Sequence, residues 1–217
     1  MNDPLLRRHS SDAAISKKCH PDVQIAHRVR KMSEIAMTLH VPATILDGQI
    51  AAGRLVLRPA RISDTGLFAM YAGDIRVAQG TQSIPHPLPP GAAEAFVARA
   101  MVHGVDEDIW VMDGTASGLA EVMGVISLKR MDRGQSEVGY WVAPAFWHLG
   151  FASEAVRGLV AANPQKNRTI FAEVFQDNPR SGQVVTNAGF QYLGDAETFS
   201  VARNARVPTW TYTLKLD

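Results

Sequence analysis

The sequence predicts an α/β (α+β) domain built on a mixed sheet. Short runs with the alternation or apolar content of strands recur after residue 50, and amphipathic runs with helical spacing separate several of them. Glycine, proline or asparagine stands at the junctions between these runs. With 217 residues, the chain is longer than one domain of about 150 residues requires. We therefore expect a segment outside the domain.

The first half of the domain is predicted from alternation and from helix breakers. Charged and apolar residues alternate over 54–58, Ser63 and Asp64 are typical helix N-caps, and four prolines exclude regular structure over 83–91. The predicted order is a strand over 54–58, a helix after Asp64, a loop over 83–91, a helix over 92–102, and strands over 109–112, 121–128 and 136–142.

The second half is predicted from one strong amphipathic run and from three apolar or alternating runs. A helix begins near Ala152 with its apolar residues on one face, and Asn163-Pro164 ends it. The remaining elements are a strand over 170–175, a helix over 179–187 closed by Gly189, and strands over 192–201 and 209–216. The element order is therefore β-α-α-β-β-β-α-β-α-β-β.

Charge and cysteine content exclude several function classes. The 22 basic and 21 acidic residues give a net charge of +1, which argues against a nucleic-acid-binding protein with a wholly basic surface. The single cysteine, Cys19, cannot form an intramolecular disulfide or a cysteine-based zinc site. No apolar run approaches the roughly 18 residues of a membrane span. We expect a cytoplasmic protein without metal or membrane partner, either monomer or homodimer.

The first 50 residues differ in composition from the rest. They hold seven basic and five acidic residues, together with four of the seven histidines. We predict a poorly ordered N-terminal extension over 1–50 and a folded domain over 51–217. A basic arm that contacts a partner is an alternative, and a native start at Met37 is another.

The junction between the strand ending at Pro144 and the helix starting near Ala152 has the geometry of a phosphate site. Unpaired backbone N–H groups and the positive helix end meet there, and Gly150 allows a ligand to approach the backbone. An ordinary strand-to-helix turn with a glycine has the same pattern. The junction alone leaves both interpretations open.

Three ordered sequence blocks resemble the GNAT superfamily of acyl-CoA N-acyltransferases. Gly-Tyr-Trp-Val at 139–142, Phe146-Trp147 and the run 150–155 resemble its motif A, and in particular its ribosomal-protein-alanine N-acetyltransferase branch. The blocks 178–190 and 54–59 resemble the N-x-x-S-x-x-V-x-x-K-x-G-F and R-L-x-L-R-P segments of that branch. The resemblance implies a mixed, mostly antiparallel central sheet flanked by helices, with acetyl-CoA as cosubstrate and an amine as acceptor.

The resemblance also implies which residues form the site. The implied acetyl-CoA-binding residues are Trp141, Val142, His148, Leu149, Gly150, Phe151, Ala152, Ser153, Asn178 and Ser181. A free N–H at Val142 or Trp141 would polarise the thioester carbonyl, and Ser181 would act as general acid or simply satisfy the start of a helix. Glu137 and Glu197 compete for the role of base, each otherwise a solvated strand residue.

The sequence departs from the family pattern at two positions of the loop. His148 replaces a usual glycine, and Leu149 replaces a usual Arg, Gln or Lys. The ring of His148 would either crowd the phosphate or donate a hydrogen bond to it. The resulting prediction is an N-acetyltransferase that acts by direct attack of a primary amine, from a protein N-terminus or a small molecule. A CoA-binding protein with weak or no turnover is the alternative.

Overall fold

The computed structural model describes residues 45–46 and 48–216, which form one sheet with helices on both faces. Within these residues the strand order is β1-β2-β3-β4-β5-β6-β7-β9-β8, and only the β6–β7 pair is parallel. The predicted mixed, mostly antiparallel sheet is confirmed. The strands are β1 (Ile45–Leu46), β2 (Gln49–Ala52), β3 (Leu55–Pro59), β4 (Glu107–Asp113), β5 (Gly124–Met131), β6 (Gln135–Val142), β7 (Thr169–Phe175), β8 (Gln191–Ser200) and β9 (Ala205–Lys215).

Two apolar clusters hold the helices to the sheet. Val156 and Leu159 of α4 (Phe151–Ala162) pack with Val185 of α5 (Pro179–Asn187) against one face. Phe68 of α1 (Thr65–Ala72) packs with Val97 of α3 (Ala92–Ala100) against the other. Each of these helices has apolar residues three or four positions apart, which places them on one side. The helices are α1 (Thr65–Ala72), α2 (Ile75–Gln79), α3 (Ala92–Ala100), α4 (Phe151–Ala162) and α5 (Pro179–Asn187).

The sheet begins earlier than the sequence predicted. The strand β2 pairs with β3, and Ile50 is completely buried, so the domain boundary predicted at residue 51 is too late. The short helix α2 was not predicted, and β5 starts three residues after the predicted position, at Gly124. The predictions of a poorly ordered extension, of a basic arm and of a start at Met37 lie outside the described residues.

A buried arginine fixes the start of α1, which forms one wall of the site described below. Arg58 of β3 donates to both carboxylate oxygens of Asp64 at 2.9 Å and to Asp113 of β4 at 2.7 Å. All three side chains are buried, and the paired charges compensate one another inside the protein. No helix within residues 48–216 is long and apolar enough to cross a membrane.

Candidate active site

The strands β6 and β7 separate after a short paired segment and leave a gap in the sheet. Parallel pairing joins residues 135–137 of β6 only to residues 169–171 of β7. Trp141 pairs with Val125, and the Ala143 N–H donates to Met123 of the neighbouring chain segment. Because N–H groups alternate in direction along an antiparallel strand, the N–H of Trp141 points to β5 and that of Val142 points into the gap. Trp141 and Val142 were the two predicted donors to the oxyanion, and the backbone geometry allows only the N–H of Val142 to take this role.

Trp147 completes the geometry around this N–H group. Its indole Nε1 donates to the carbonyl oxygen of Val142 at 2.6 Å, so the carbonyl that faces the gap already has a partner. The adjacent N–H remains as the donor directed into the gap. The turn after Pro144 brings the ring back toward β6 and makes this contact, which the sequence motif alone does not predict.

The loop before α4 presents free backbone donors. Gly150 is the N-cap of α4 with a left-handed φ of +86°, and no side chain among residues 48–216 caps the helix. The first intrahelical bond at this end is donated by the Glu154 N–H to the Gly150 carbonyl. The N–H groups of Phe151, Ala152 and Ser153 therefore precede the helical ladder and lie at the positive end of a 12-residue helix. This arrangement is suited to binding an anionic group such as a pyrophosphate.

Arg54 holds this loop to the rest of the domain. Its guanidinium pairs with Glu154 at 2.6 Å and lies 4.3 Å above the ring centre of Phe151. The same guanidinium donates to the Leu149 carbonyl, so the chain fixes Leu149 through its backbone. Its side chain is 52% exposed, which explains why an apolar residue is accommodated at this position.

His148 adopts a backbone conformation that explains the usual glycine. Its φ is +63°, in the left-handed region that glycine enters most readily and that histidine enters more often than most side chains do. The imidazole is contacted by the guanidinium of Arg180 on α5, with 2.8 Å from Nη1 to Nε2. The ring is thus directed toward α5, and Arg180 adds a positive charge beside the loop.

Ser181 and Asn178 lie at the start of α5 and face the gap. Asn178 is the N-cap, and its Oδ1 accepts from the Ser181 N–H at 3.3 Å. The Ser181 hydroxyl does not cap the helix, because its Oγ lies 2.7 Å from the hydroxyl of Tyr140 on β6. All three residues line one cavity. The structure therefore does not support the alternative in which the Ser181 hydroxyl satisfies backbone N–H groups at the start of α5.

This cavity, of about 630 Å³, lies beside the gap and contains three carboxylates. Glu137 of β6, Glu173 of β7 and Glu107 of β4 line it together with Lys129 of β5. Glu173 accepts from Gln82 and from Thr209, each at 2.7 Å. Residues of the predicted 83–91 loop also line the cavity, as the sequence suggested.

Glu137 differs from Glu173 in having no partner in the part of the chain that the structure describes. Within residues 48–216 it forms no hydrogen bond and no ion pair. Burial raises the pKa of Glu137 above its usual value, and the charge of Glu173 raises it further, against the opposing effect of Lys129. A carboxylate with a raised pKa that faces a cavity is a candidate general base.

Glu197, the other predicted base, is not brought to this site. It lies on the edge strand β8, where it pairs with Pro208, and its side chain is exposed. It does not line the cavity. Glu173 was missed in the sequence, although a lone carboxylate within the run Thr-Ile-Phe-Ala-Glu-Val-Phe was a usable signal.

The geometry agrees with the comparisons with known proteins. The acetyltransferase (GNAT) domain family matches residues 54–191, which is more than half of the chain, so the chain belongs to this family. It is an acetyl-CoA-dependent acyltransferase. The free N–H groups of the α4 loop and the open β6–β7 gap are suited to the phosphates and the thioester arm of that cosubstrate.

Individual relatives are distant in sequence. The uncharacterized N-acetyltransferase p20 of Bacillus licheniformis is 25% identical over 173 residues, which cover 74% of this chain and 92% of p20. The microcin C7 self immunity acetyltransferase MccE, in complex with acetyl-CoA and AMP, matches with a TM-score of 0.69 at 13% identity over 79% of this chain and 98% of MccE. The ribosomal-protein-S5-alanine acetyltransferase of Vibrio fischeri matches with a TM-score of 0.64 at 18% identity, over 78% of this chain and 97% of that enzyme. These structures share the fold.

Proposed function

We propose that this chain transfers the acetyl group of acetyl-CoA to a primary amine by direct attack, and that its preferred acceptor is the α-amine of a peptide or protein. The observation that carries the proposal is Glu137, a carboxylate in the cavity beside the gap that has no partner among the described residues. Acyl transfer to an amine requires a base on the acceptor side and a donor for the developing oxyanion on the other. Glu137 and the Val142 N–H supply these two groups from one strand.

The preference for an α-amine follows from proton affinities. An ammonium group must lose a proton before it can attack, which at pH 7 costs about 1 kcal/mol for an α-amine and about 5 kcal/mol for an alkylamine of ordinary pKa. Burial raises the pKa of Glu137, which makes it a stronger base toward either amine, so the smaller deprotonation cost of the α-amine decides the preference. The resemblance to the ribosomal-protein-alanine branch, and the likeness in fold to the Vibrio fischeri enzyme, support the same acceptor class.

A small-molecule amine is the second candidate acceptor. The cavity of about 630 Å³ lies within the range of small-ligand pockets, which is about 300–1,000 Å³. Its carboxylates Glu107 and Glu173 would attract a cationic molecule as well as a peptide N-terminus. Size and charge thus favour an amine of either kind.

A thiol-release assay with paired acceptors tests the proposal. The enzyme is incubated with acetyl-CoA and an alanine-initiated peptide, the same peptide with an acetylated N-terminus, an alkylamine and a linear diamine. We expect thiol release with the free peptide and none with the blocked one. Faster release with the small amines would move the assignment to a small-molecule acceptor. Calorimetric CoA binding without release on any amine would instead identify a CoA-binding protein without turnover.

A further inference from the structure

Two hydroxyl groups meet on the side of β6 opposite to Glu137. The Tyr140 oxygen lies 2.7 Å from Ser181 Oγ and 3.1 Å from the backbone carbonyl oxygen of Ser181. Successive side chains of a strand point to opposite faces, so Tyr140 and Glu137 lie on different sides of the gap. The cavity therefore spans the gap, with Glu137 on the face at which the acceptor enters and the Tyr140–Ser181 pair on the other face.

The number of hydrogens in this pair limits what Ser181 can do. Each hydroxyl carries one hydrogen, and the 2.7 Å bond between the two oxygens uses one of them. If Ser181 donates to Tyr140, the Ser181 hydrogen lies between the two oxygens, and Oγ can only accept a hydrogen bond from a group in the gap. If Tyr140 donates to Ser181, the Ser181 hydrogen is free to point into the gap. The 3.1 Å distance to the carbonyl is long for an O–H···O bond, so it competes weakly for the Tyr140 hydrogen.

We infer that Tyr140 is a positioning residue that donates its hydrogen to Ser181 Oγ and thereby directs the Ser181 hydrogen to the CoA sulfur. This inference rests on the proposed function, because it assumes that the thiol of CoA lies in the gap. A negatively charged sulfur attracts the Ser181 hydrogen more strongly than a neutral phenol oxygen does. The charge of the leaving group therefore selects the arrangement in which Tyr140 is the donor.

The acid strengths of the two hydroxyls define the chemistry. Burial raises the pKa of Tyr140 to about 12, whereas a thiol has an ordinary pKa of about 8.5. A thiolate is thus too weak a base to take a proton from either hydroxyl. The C–S bond breaks, its electron pair stays on sulfur, and both O–H bonds remain intact. Ser181 acts as a hydrogen-bond donor to the thiolate, in place of the general acid that the family resemblance implies.

Binding of CoA as a function of pH tests this inference without turnover. A donor that bonds to the sulfur lowers the pKa of the thiol in bound CoA below that of the thiol in free CoA. The affinity for CoA should therefore rise with pH between these two pKa values, within the range from pH 7 to 9. Desulfo-CoA lacks the thiol and serves as the matched ligand. The ratio of the two affinities cancels the titration of the charged and titratable groups around the pair, which are Glu137, Lys129, Glu173, Arg180, His148 and Tyr212.

The variants separate positioning from packing. In the unchanged protein, the ratio of the affinity for CoA to the affinity for desulfo-CoA should rise between pH 7 and 9. We expect this rise to be larger than the rise in Ser181→Ala by about tenfold or more, as a hydrogen bond to a charged group predicts. Tyr140→Phe should lose most of this rise while keeping its affinity for desulfo-CoA. When Ser181→Ala is already present, adding Tyr140→Phe should not change the pH-dependent rise of the affinity ratio any further. Tyr212→Phe, a change of the same kind at a neighbouring buried tyrosine, should keep the full rise.

The opposing results are distinct. A rise in Tyr140→Phe equal to that of the unchanged protein, or a further effect of Tyr140→Phe without Ser181, would overturn the inference and leave the CoA site intact. Failure of the unchanged protein to bind both ligands would overturn the proposed CoA site and the inference with it.

Discussion

Replacement of Gly150 by alanine measures how closely a ligand must approach the α4 loop. Gly150 has a φ of +86° and a ψ of 0°, and among the described residues a Cβ there would meet only Arg54, at an ordinary 3.7 Å. Space is therefore available, and the cost of the substitution is backbone strain. A left-handed non-glycine residue costs about 1–2 kcal/mol, and alanine recovers about 0.4–1 kcal/mol by restricting the unfolded chain. The expected net loss is about 1 kcal/mol, or about 2–4 °C in Tm for a chain of this size.

Gly91 provides a matched control. It is the N-cap of α3 with a φ of +78° and a ψ of −5°, and a Cβ there meets nothing within 4 Å. Gly91→Ala and Gly150→Ala should therefore lose similar amounts of stability in thermal unfolding. Only Gly150→Ala should weaken CoA binding in calorimetry, by tenfold or more, because its methyl group occupies the approach to the free N–H groups. Equal CoA affinities of the two variants would refute the assignment of the phosphate-binding loop.

Two further predictions concern charges. Glu173→Gln removes a charge that raises the pKa of Glu137, so the ascending limb of kcat/KM against pH should move to lower pH; an unmoved limb would show that Glu137 is not the titrating base. Arg58→Met removes the buried positive charge that pairs with the carboxylates of Asp64 and Asp113, which should lower the free energy of unfolding by about 3–5 kcal/mol. Urea denaturation measures this loss, and a loss below about 1 kcal/mol would contradict the buried network.

The elements that carry the site could be predicted because their signals are local. Pro144 ends β6, Gly150 precedes α4, and Asn178 begins α5, each at the position that the sequence indicated. Turn and cap residues fix the backbone over a few positions. By contrast, β2 has only four residues and exists as a strand because it pairs with β3. Pairing partners distant in sequence leave no periodic trace in so short a run.

The sequence left the base open between Glu137 and Glu197 for a similar reason. Glu137 and Glu197 both occur on predicted strands, and the sequence does not show which face or edge each occupies. A register shift between Tyr192 and Gly194 and the outer position of β8 leave Glu197 exposed. The Tyr140–Ser181 contact joins residues 41 positions apart and depends on how α5 packs on the sheet. Neither fact is encoded in the motifs themselves.

The central claim is that Glu137, facing the cavity beside the β6–β7 gap, is the base for attack by the amine. Glu137→Gln and Glu197→Gln are the same chemical change at a cavity residue and at an exposed edge-strand residue. The direct measurement is kcat/KM of both variants with the best acceptor, together with their Kd for CoA. We predict a loss of about 10²–10⁴-fold for Glu137→Gln, the usual contribution of a general base, with Kd for CoA retained and no change for Glu197→Gln. A loss confined to Glu197→Gln would contradict the account.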